Sequence, residues 1–247
     1  MELNQAFIFA AGEGKRMMPL TKKTPKPLLK INNKEIISYS LDKIYKFAKI
    51  NKIIINAYYL HEKIAEFINQ QQNSQIKISL EKSKIETGGG LVYAKDNIDF
   101  TKPLLIINGD IIWQEESDYC EISYLFKAWQ DIKKNDNNCK ILLGLKNKND
   151  LFGYDLSKIN SGDFDLEDKN LYFFDNKPTK YVYTGLAIID PQIINNTPNM
   201  ECFSFSYFIK QNIMKNGLLP HSKGVELKSK FFHIGDYLSY NRVQDLF

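Results

Sequence analysis

An unbroken apolar run leads into a loop of small and charged residues in Ala6-Phe7-Ile8-Phe9-Ala10-Ala11-Gly12-Glu13-Gly14-Lys15-Arg16. The apolar run predicts a strand that is buried on both faces, because a half-buried strand would alternate apolar and polar residues. Gly12 and Gly14 end the strand and predict a loop. A strand of this kind belongs to a sheet that helices cover on both sides.

Predicted helices and strands alternate after this loop. Apolar residues recur at helical spacing from Ile36 to Ala48, and the next apolar run, 52–56, predicts a strand. The alternation continues with a helix around 60–69, a strand at 76–80, a helix after Gly90 and a strand at 103–108. This pattern predicts an α/β fold with a mostly parallel, Rossmann-like sheet and helices on both faces.

Ligands of such sheets bind beyond the carboxyl ends of the strands, so the loops after Phe9, Leu80 and Ile107 are the first places to expect a site. The second half of the chain continues the fold around a polar excursion, which we expect to form a small substrate lobe. Its predicted elements are a helix at 122–134, strands at 140–146 and 181–189 around the excursion 147–180, a helix at 207–216, a strand ending at His233 and a closing helix from Asp236.

Composition excludes several classes of function. The 247 residues carry a formal net charge of +4, but the lysines are scattered and Arg16 and Arg242 are the only arginines, which argues against nucleic acid as a partner. No apolar run approaches the roughly 18 residues of a membrane span, and no signal peptide is recognisable. The cysteines, Cys120, Cys139 and Cys202, lie far apart and predict a reducing, cytoplasmic location.

The glycine loop has the composition of an anion cradle. Small residues let backbone amides approach an anion, and Lys15, Arg16 and Lys26 can supply positive charge beside it. The spacing is neither that of a Walker A loop nor that of a dinucleotide fingerprint, whose third glycine would fall at Met17. An ordinary glycine turn with solvated lysines is the alternative.

Two segments, Ala10 to Thr21 and Thr24-Pro25-Lys26-Pro27-Leu28, resemble the N-terminal signature of the sugar-1-phosphate nucleotidylyltransferase family. The resemblance implies a GT-A-like fold and an enzyme that joins a sugar 1-phosphate to a nucleoside triphosphate and releases pyrophosphate. It also implies that the loop and the lysine between two prolines hold the triphosphate. The matching positions are Ala11, Gly12, Gly14, Lys15, Arg16 and Lys26.

A second cluster, Glu86-Thr87-Gly88-Gly89-Gly90, could present bare backbone to a planar or anionic ligand, or could be a flexible turn. It resembles a segment of bacterial N-acetylmuramate 1-phosphate uridylyltransferases, which supply nucleotide sugar for the cell wall. That resemblance implies nucleotide contacts at Glu86, Thr87, Gly88 and Gly89. Similar loops occur in mannose-1-phosphate guanylyltransferases, so the base stays open.

Asn108-Gly109-Asp110 follows a strongly apolar strand. A solvated aspartate at a strand end is common, but the family resemblance implies that Asp110 binds Mg²⁺ and that Asn108 contacts the nucleotide. The family's second metal aspartate is replaced here by His233. Either His233 is a ligand, or Asp236 or water takes that place, or His233 is a neutral residue of the cleft.

Segments of the predicted lobe resemble the sugar side of the family. Gly162 and Asp163 match a Gly-Asp-Phe segment, Lys177 matches the lysine of a Glu-Lys-Pro segment whose glutamate is here asparagine, and Thr184 and Gly185 match a strand that borders the sugar. Surface turns and strand ends are the alternative for each.

These expectations combine into one description. We expect a single domain over 1–247, with a nucleotide-binding part at 1–146 and a sugar-binding lobe and closing helix at 147–247. The predicted catalytic groups are Arg16, Lys26 and Asp110, acting with Mg²⁺ on a nucleoside triphosphate, UTP, and N-acetylmuramate 1-phosphate. The alternatives are mannose-1-phosphate guanylyltransferase activity and a non-catalytic nucleotide-sugar binding protein. We expect a monomer or a small homo-oligomer.

Overall fold

The computed structural model describes residues 1–152, 161–195, 197 and 202–247. The strands are β1 (Gln5–Phe9), β2 (Lys30–Ile31), β3 (Lys34–Glu35), β4 (Lys52–Ala57), β5 (Ile76–Leu80), β6 (Leu104–Asn108), β7 (Ile111–Gln114), β8 (Ile141–Asn147), β9 (Leu151–Phe152), β10 (Asp165–Glu167), β11 (Asn170–Tyr172), β12 (Tyr181–Ile189), β13 (Leu218–Glu226) and β14 (Lys230–His233). The helices are α1 (Ile36–Phe47), α2 (His61–Gln71), α3 (Glu86–Tyr93), α4 (Glu121–Asn135), α5 (Gln192–Asn195), α6 (Ser206–Ile209) and α7 (Tyr237–Gln244).

Among the described residues, nine strands form one sheet in the order β10-β11-β13-β8-β12-β6-β1-β4-β5. The four strands β6, β1, β4 and β5 pair in parallel, as the alternation of helices and strands predicts. β12 runs antiparallel between β6 and β8, and β13 pairs in parallel with β8. The α/β prediction is therefore confirmed, with a parallel half that carries the N-terminal strands and a mixed half.

Both faces of the sheet are covered, which explains the unbroken apolar run of β1. Ala6 and Ile8 pack into a core that includes side chains of α1, α2 and α4. Phe7 and Phe9 point to the opposite face, where they pack with side chains of α3, α5 and α6. A strand whose two faces are both buried has no position left for a polar side chain in its middle.

Two predicted helices are wrong in their bounds. The helix expected after Gly90 already begins at Glu86, so its glycines lie inside α3 and not in a loop before it. The helix expected at 207–216 is limited to Ser206–Ile209 and is followed by β13. Pro220 disguised β13 in the sequence, because proline removes a ladder donor, and the pairing of β13 with β11 indeed shifts register around it.

A second sheet of order β7-β14-β9 places the end of β14 beside β7. The turn before β14 is held by Glu121 of α4, whose side chain is fully buried. Its carboxylate accepts hydrogen bonds from the backbone amides of Ser229, at 2.7 Å, and Lys228, at 3.3 Å, and from the Tyr119 hydroxyl at 2.7 Å. This carboxylate therefore fixes the strand that carries His233.

None of the helices among the described residues combines the length and apolarity needed to cross a lipid bilayer.

Glu121→Ala should lower the free energy of unfolding by about 3 kcal/mol, because it leaves the buried Ser229 amide, the partly buried Lys228 amide and the Tyr119 hydroxyl without their acceptor. Urea denaturation measures the change. Glu116→Ala, at an exposed position nearby, is the control and should stay within about 0.5 kcal/mol of the parent. Equal stabilities of the two variants would show that Glu121 does not anchor β14.

Candidate functional site

A cleft with a volume of about 470 Å³ opens beyond the carboxyl ends of β1, β4, β5 and β6. This is the edge of the sheet where the sequence predicts ligands. The cleft brings together most of the residues predicted for the nucleotide and the metal, namely Ala11, Gly12, Gly14, Lys15, Arg16, Lys26, Glu86, Thr87, Asn108 and Asp110.

The glycine loop forms one wall of the cleft, and the absence of a side chain has a different consequence at each of its two glycines. Gly14 has a φ of +61°, and a Cβ there would lie 2.8 Å from the Thr21 side chain, so the turn needs glycine. The Thr21 hydroxyl donates to the Gly14 carbonyl at 2.9 Å and closes the turn. At Gly12, no described atom lies within 4 Å of the Cβ position. The space beside Gly12 is thus open to a ligand.

Lys26 and Asp110 meet at the β6 side of the loop. The Lys26 Nζ lies 2.6 Å from the Asp110 Oδ2, and Lys26 is only 8% exposed although it is a lysine. Flanking prolines at positions 25 and 27 restrict the backbone around Lys26. Burial opposes ionisation of Asp110, but the Lys26 ammonium outweighs it and holds the pKa of Asp110 below its usual range. The Asp110 carboxyl group is therefore ionised at neutral pH.

Two further polar residues, which the sequence interpretation missed, lie at the opposite side of the loop. Asn56 follows the apolar run of β4, and Glu81 follows β5; they are 2% and 5% exposed. The Asn56 amide donates to Glu81 Oε1 at 2.6 Å and accepts from the Ala10 backbone amide at 2.7 Å. Burial raises the pKa of Glu81 to about 7, and the hydrogen bond from Asn56 only partly offsets this.

The signal that could have found both residues is their position, since Asn56 lies in the last two residues of β4 and Glu81 directly follows β5, at the carboxyl ends of two parallel strands. Lys84 also lines the cleft and was not predicted. Its ammonium lies 3.5 Å from the Glu13 carboxylate and 3.3 Å from that of Glu86, while Lys15 lies 3.1 Å from Glu13. These exposed ion pairs link the glycine loop to the start of α3.

Gly88 and Gly89 are not among the described residues that line the cleft. Their backbone amides are also not available to a ligand, contrary to the prediction. Both amides donate to the Phe203 carbonyl, at 2.8 and 3.1 Å, and a Cβ on Gly88 would lie 2.4 Å from the Phe203 ring. Thr87 accepts a hydrogen bond from the Phe205 amide at 2.8 Å. The first turn of α3 is thus closed by another segment of the chain, and its glycines serve that packing.

His233 lies opposite Ile111 in the pairing of β14 with β7. Ile111 directly follows Asp110 in the sequence, so the pairing brings His233 close to Asp110. Burial lowers the pKa of His233 to about 4, although Asp110 acts in the opposite direction, so the imidazole is neutral at pH 7. Gly235 lines the cleft, and a Cβ there would lie 2.4 Å from the His233 Nε2. The absence of a side chain at Gly235 thus makes room for the imidazole.

Asp236 caps α7 through a hydrogen bond from the Ser239 amide at 2.8 Å. This contact engages one oxygen of the carboxylate that was the alternative to His233. Within residues 1–152, 161–195, 197 and 202–247, no group of three or more His, Cys, Asp or Glu side chains is arranged to hold a metal ion.

The residues predicted for the sugar are not among those that line the cleft in the described part of the chain. Gly162 packs against the Tyr181 carbonyl, and the Asp163 carboxylate accepts from the Tyr183 amide at 2.9 Å. Lys177 lies 3.4 Å from the Phe174 ring centroid and 3.8 Å from the Asp165 carboxylate. Of the predicted lobe, residues 153–160 lie outside the described residues.

Two predicted sugar residues support the site from behind. The Thr184 hydroxyl donates to the Gly144 carbonyl at 2.8 Å and is buried in the sheet. Gly185 has a φ of +87°, and a Cβ there would lie 2.8 Å from the Asn108 Cβ. Gly185 therefore leaves room for the Asn108 side chain that lines the cleft.

Comparison with known proteins places this geometry in a family. The family model described as nucleotidyl transferase matches residues 5–223. The chain is 26% identical over 213 residues to the D-glycero-alpha-D-manno-heptose 1-phosphate guanylyltransferase of Campylobacter jejuni, covering 85% of this chain and 87% of that protein. It is 27% identical over 201 residues to the N-acetylmuramate alpha-1-phosphate uridylyltransferase of Caulobacter vibrioides, covering 78% of each.

A solved structure, that of HddC from Yersinia pseudotuberculosis complexed with GMP-PN, superposes with a TM-score of 0.71. The match covers 98% of this chain and 99% of that one at 18% identity, and it confirms the GT-A-like fold. Some relatives are longer, since the match to the bifunctional protein GlmU of Methanococcus maripaludis spans only 33% of that protein.

The raised pKa of Glu81 predicts how stability depends on pH. The folded pKa of about 7 exceeds the ordinary glutamate pKa of 4.5, so the stabilisation is complete below about pH 4.5 and is lost as the pH rises through 7. Between pH 5 and 8 the free energy of unfolding of the parent should therefore fall by up to about 3 kcal/mol more than that of Glu81→Gln, which carries no titrating group at this position. Urea denaturation across this range tests it.

Glu86→Gln, at an exposed carboxylate of the same cleft, is the matched control and should follow the parent. A Glu81→Gln variant whose stability changes with pH as the parent's does would contradict the assignment.

Proposed function

Because this chain belongs to the nucleotidyl transferase family, we propose that it joins a sugar 1-phosphate to a nucleoside triphosphate and releases pyrophosphate. The observation that carries the proposal is the contact of 2.6 Å between the Lys26 ammonium and the Asp110 carboxylate. Both residues line the cleft, at the β6 side of the glycine loop. A buried lysine at the mouth of an anion cradle suits a polyanionic substrate.

The chain's own residues would act by position and charge. A sugar 1-phosphate is largely dianionic near neutral pH, since the second pKa of a phosphate monoester is about 6, and it needs no general base. The task is to bring two polyanions together and to stabilise the leaving pyrophosphate. Lys26 and Arg16 line the cleft and would supply fixed positive charge to the triphosphate, and the open face of Gly12 would admit it.

The donor set fits the Mg²⁺ that the family resemblance implies. Mg²⁺ is usually held by one or two carboxylates together with substrate phosphates and water, so one ionised aspartate at the cleft is enough. The Asp110 side chain is 28% exposed and one of its oxygens contacts Lys26. Asp110 would hold the ion, with the neutral imidazole of His233 as the second group. When bound, the ion would neutralise charge on the phosphates.

For the substrates we propose UTP and N-acetylmuramate 1-phosphate, which the name of the Caulobacter relative supports. Guanylyl transfer is the second candidate, and Glu81 favours it. A carboxylate accepts from two donors at once, and guanine offers its N1–H and 2-amino group on one edge, whereas uracil offers only N3–H. The name of the Campylobacter relative supports the same base.

The sugar side stays a proposal. Asp163 and Lys177 would reach the sugar phosphate only if they leave their present contacts with Tyr183 and with Phe174. The division of the chain at residue 146, the cytoplasmic location and the monomeric or small oligomeric state also stay predictions.

A matrix of nucleoside triphosphates against sugar 1-phosphates, with magnesium present, tests the function directly. UTP, GTP, CTP and ATP are each combined with N-acetylmuramate, heptose and mannose 1-phosphates, and pyrophosphate formation is measured. We expect the fastest release with one uridine or guanosine pair. Nucleotide binding without pyrophosphate from any pair would instead support the non-catalytic binding protein.

Lys26→Ala and Asp110→Ala should each lower turnover by at least roughly a hundredfold, as expected for the loss of a preorganised electrostatic group. The measurement is pyrophosphate release at saturating magnesium. Lys23→Ala is the matched control, because Lys23 lies in the same segment but outside the lining of the cleft formed by the described residues. It should retain the parental rate; near-normal turnover in either of the first two variants would refute their assignment.

His233→Asp should lower the half-saturating concentration of magnesium by at least about threefold, because a carboxylate is the harder ligand and adds a negative charge. Titration of activity with magnesium and with manganese gives the comparison. If the variant and the parent have the same metal affinity and preference, His233 is not a ligand.

A further inference from the structure

The peptide unit from which the glycine loop departs is fixed on both sides. Its carbonyl, that of Phe9, accepts a hydrogen bond from the Gly109 amide at 2.9 Å on the β6 side. Its amide, that of Ala10, donates to the Asn56 side chain at 2.7 Å on the β4 side. The two bonds lie on opposite sides of one planar group, so together they set its orientation. That orientation determines the direction in which Ala11 and Gly12 continue.

One of these two bonds depends on a side chain. The parallel pairing of β1 with β4 runs from Gln5 opposite Lys52 to Ile8 opposite Ile55, and Asn56 is the next residue of β4. Its carboxamide binds the amide of Ala10 where that register ends. An aliphatic residue at position 56 would leave the buried Ala10 amide without this acceptor.

The oxygen and the nitrogen of the Asn56 carboxamide both form hydrogen bonds. Its oxygen accepts from Ala10, which forces its nitrogen toward Glu81, and that nitrogen donates to Glu81 Oε1 at 2.6 Å. Aspartate would keep the acceptor for Ala10 but would lose the donor for Glu81. One side chain therefore orients both the start of the glycine loop and the carboxyl group on the other wall of the cleft.

The fit around this pair is tight. A Cβ on Gly90 would lie 2.7 Å from Glu81 Oε1 and 2.8 Å from Asn56 Nδ2. The close approach of α3 therefore holds the two side chains in contact, and only glycine at position 90 permits it.

We infer that Asn56 is a positioning residue of the nucleotide site: it fixes the Phe9–Ala10 peptide and orients Glu81 before the nucleotide binds. The expected effect of Asn56 on nucleotide binding rests on the proposed function. The structural part of the inference, the fixed peptide, stands apart from that function.

The consequence of losing Asn56 follows from preorganisation. Without the side chain, the peptide plane and the loop amides must be ordered when the triphosphate arrives, which weakens binding. Because Asn56 touches no reacting group, the loss should fall on nucleotide affinity and the KM for the nucleotide more than on kcat.

The chain offers a matched control at the first residue of β1, at the opposite end of that strand from the Phe9–Ala10 peptide. Gln5 is 1% exposed, and its side-chain amide donates to the carbonyls of Asp99, at 2.7 Å, and Lys102, at 3.1 Å, and accepts from the Asp99 amide at 2.9 Å. Gln5→Ala therefore removes a buried side-chain amide of β1 without touching the cleft. It separates loss of stability from loss of positioning.

The experiment compares the parent, Asn56→Ala and Gln5→Ala by two measurements. Hydrogen exchange followed by NMR should show the Ala10 amide exchanging at least roughly tenfold faster in Asn56→Ala, with no such change in Gln5→Ala. Calorimetric titration with UTP and with GTP, each with magnesium chloride, should show at least roughly tenfold weaker binding in Asn56→Ala and a change within about twofold in Gln5→Ala.

Unchanged exchange at Ala10 in Asn56→Ala, or an affinity loss no larger than that of Gln5→Ala, overturns the inference. If Asn56→Ala does not fold, Asn56→Asp replaces it. This variant should keep the protection of the Ala10 amide within about twofold and still bind nucleotide at least roughly threefold more weakly, since Glu81 loses its donor. Parental affinity in Asn56→Asp would likewise overturn the inference.

Failure of the proposed function gives a different result. A parent that binds neither UTP nor GTP, or forms no pyrophosphate from any substrate pair, refutes the function. The exchange rate of the Ala10 amide still decides in that case whether Asn56 holds the peptide.

Discussion

The parallel pairing of β5, β4, β1 and β6 is the constraint on which the cleft depends. It brings the carboxyl ends of four strands to one edge, and a residue within one position of each end lines the cleft: Glu81, Asn56, Ala10 and Asn108. Asn56 and Glu81 are not distinctive in the sequence, unlike Ala10 and Asn108, which belong to recognisable segments. The four residues meet only because parallel strands need crossover helices, which leave the loops at the opposite edge free to diverge.

Charge is the second constraint, and it is unevenly placed. Lys26 is buried against Asp110, so the pair loses solvation that only a close partner or a bound anion can replace. On the other side of the loop, Lys84 is half-exposed and is shared between Glu13 and Glu86. The buried pair therefore produces the stronger local electric field, because solvent screens the charges of the exposed pairs.

The sequence alone predicted the parts of this arrangement that depend on local pattern. Unbroken apolar runs located β1, β4, β6 and β12, and the glycine loop with Lys26 and Asp110 followed from motif and family resemblance. The strand ends pointed to the region of Asn56 and Glu81, but local pattern could not reveal the roles of these two residues, because the roles arise from contacts with Ala10 and with each other across strands. Nor could it show that Gly88 and Gly89 of α3 contact Phe203, which lies more than a hundred residues later.

Under the proposed function, the same geometry would limit how a nucleotide lies in the cleft. A nucleoside triphosphate has a polyanionic end and a flat, neutral base, and the cleft is divided in the same way by the glycine loop. The β6 side carries Lys26 and Asp110, whereas the side of β4, β5 and α3 carries the hydrogen-bonding groups of Asn56, Glu81 and Thr87. In the proposed function, phosphates on the β6 side would leave the base facing Glu81, whose pKa of about 7 would let it offer either a donor or an acceptor near neutral pH. On this proposal the choice of base would depend on a carboxyl group that receives its hydrogen bond from Asn56.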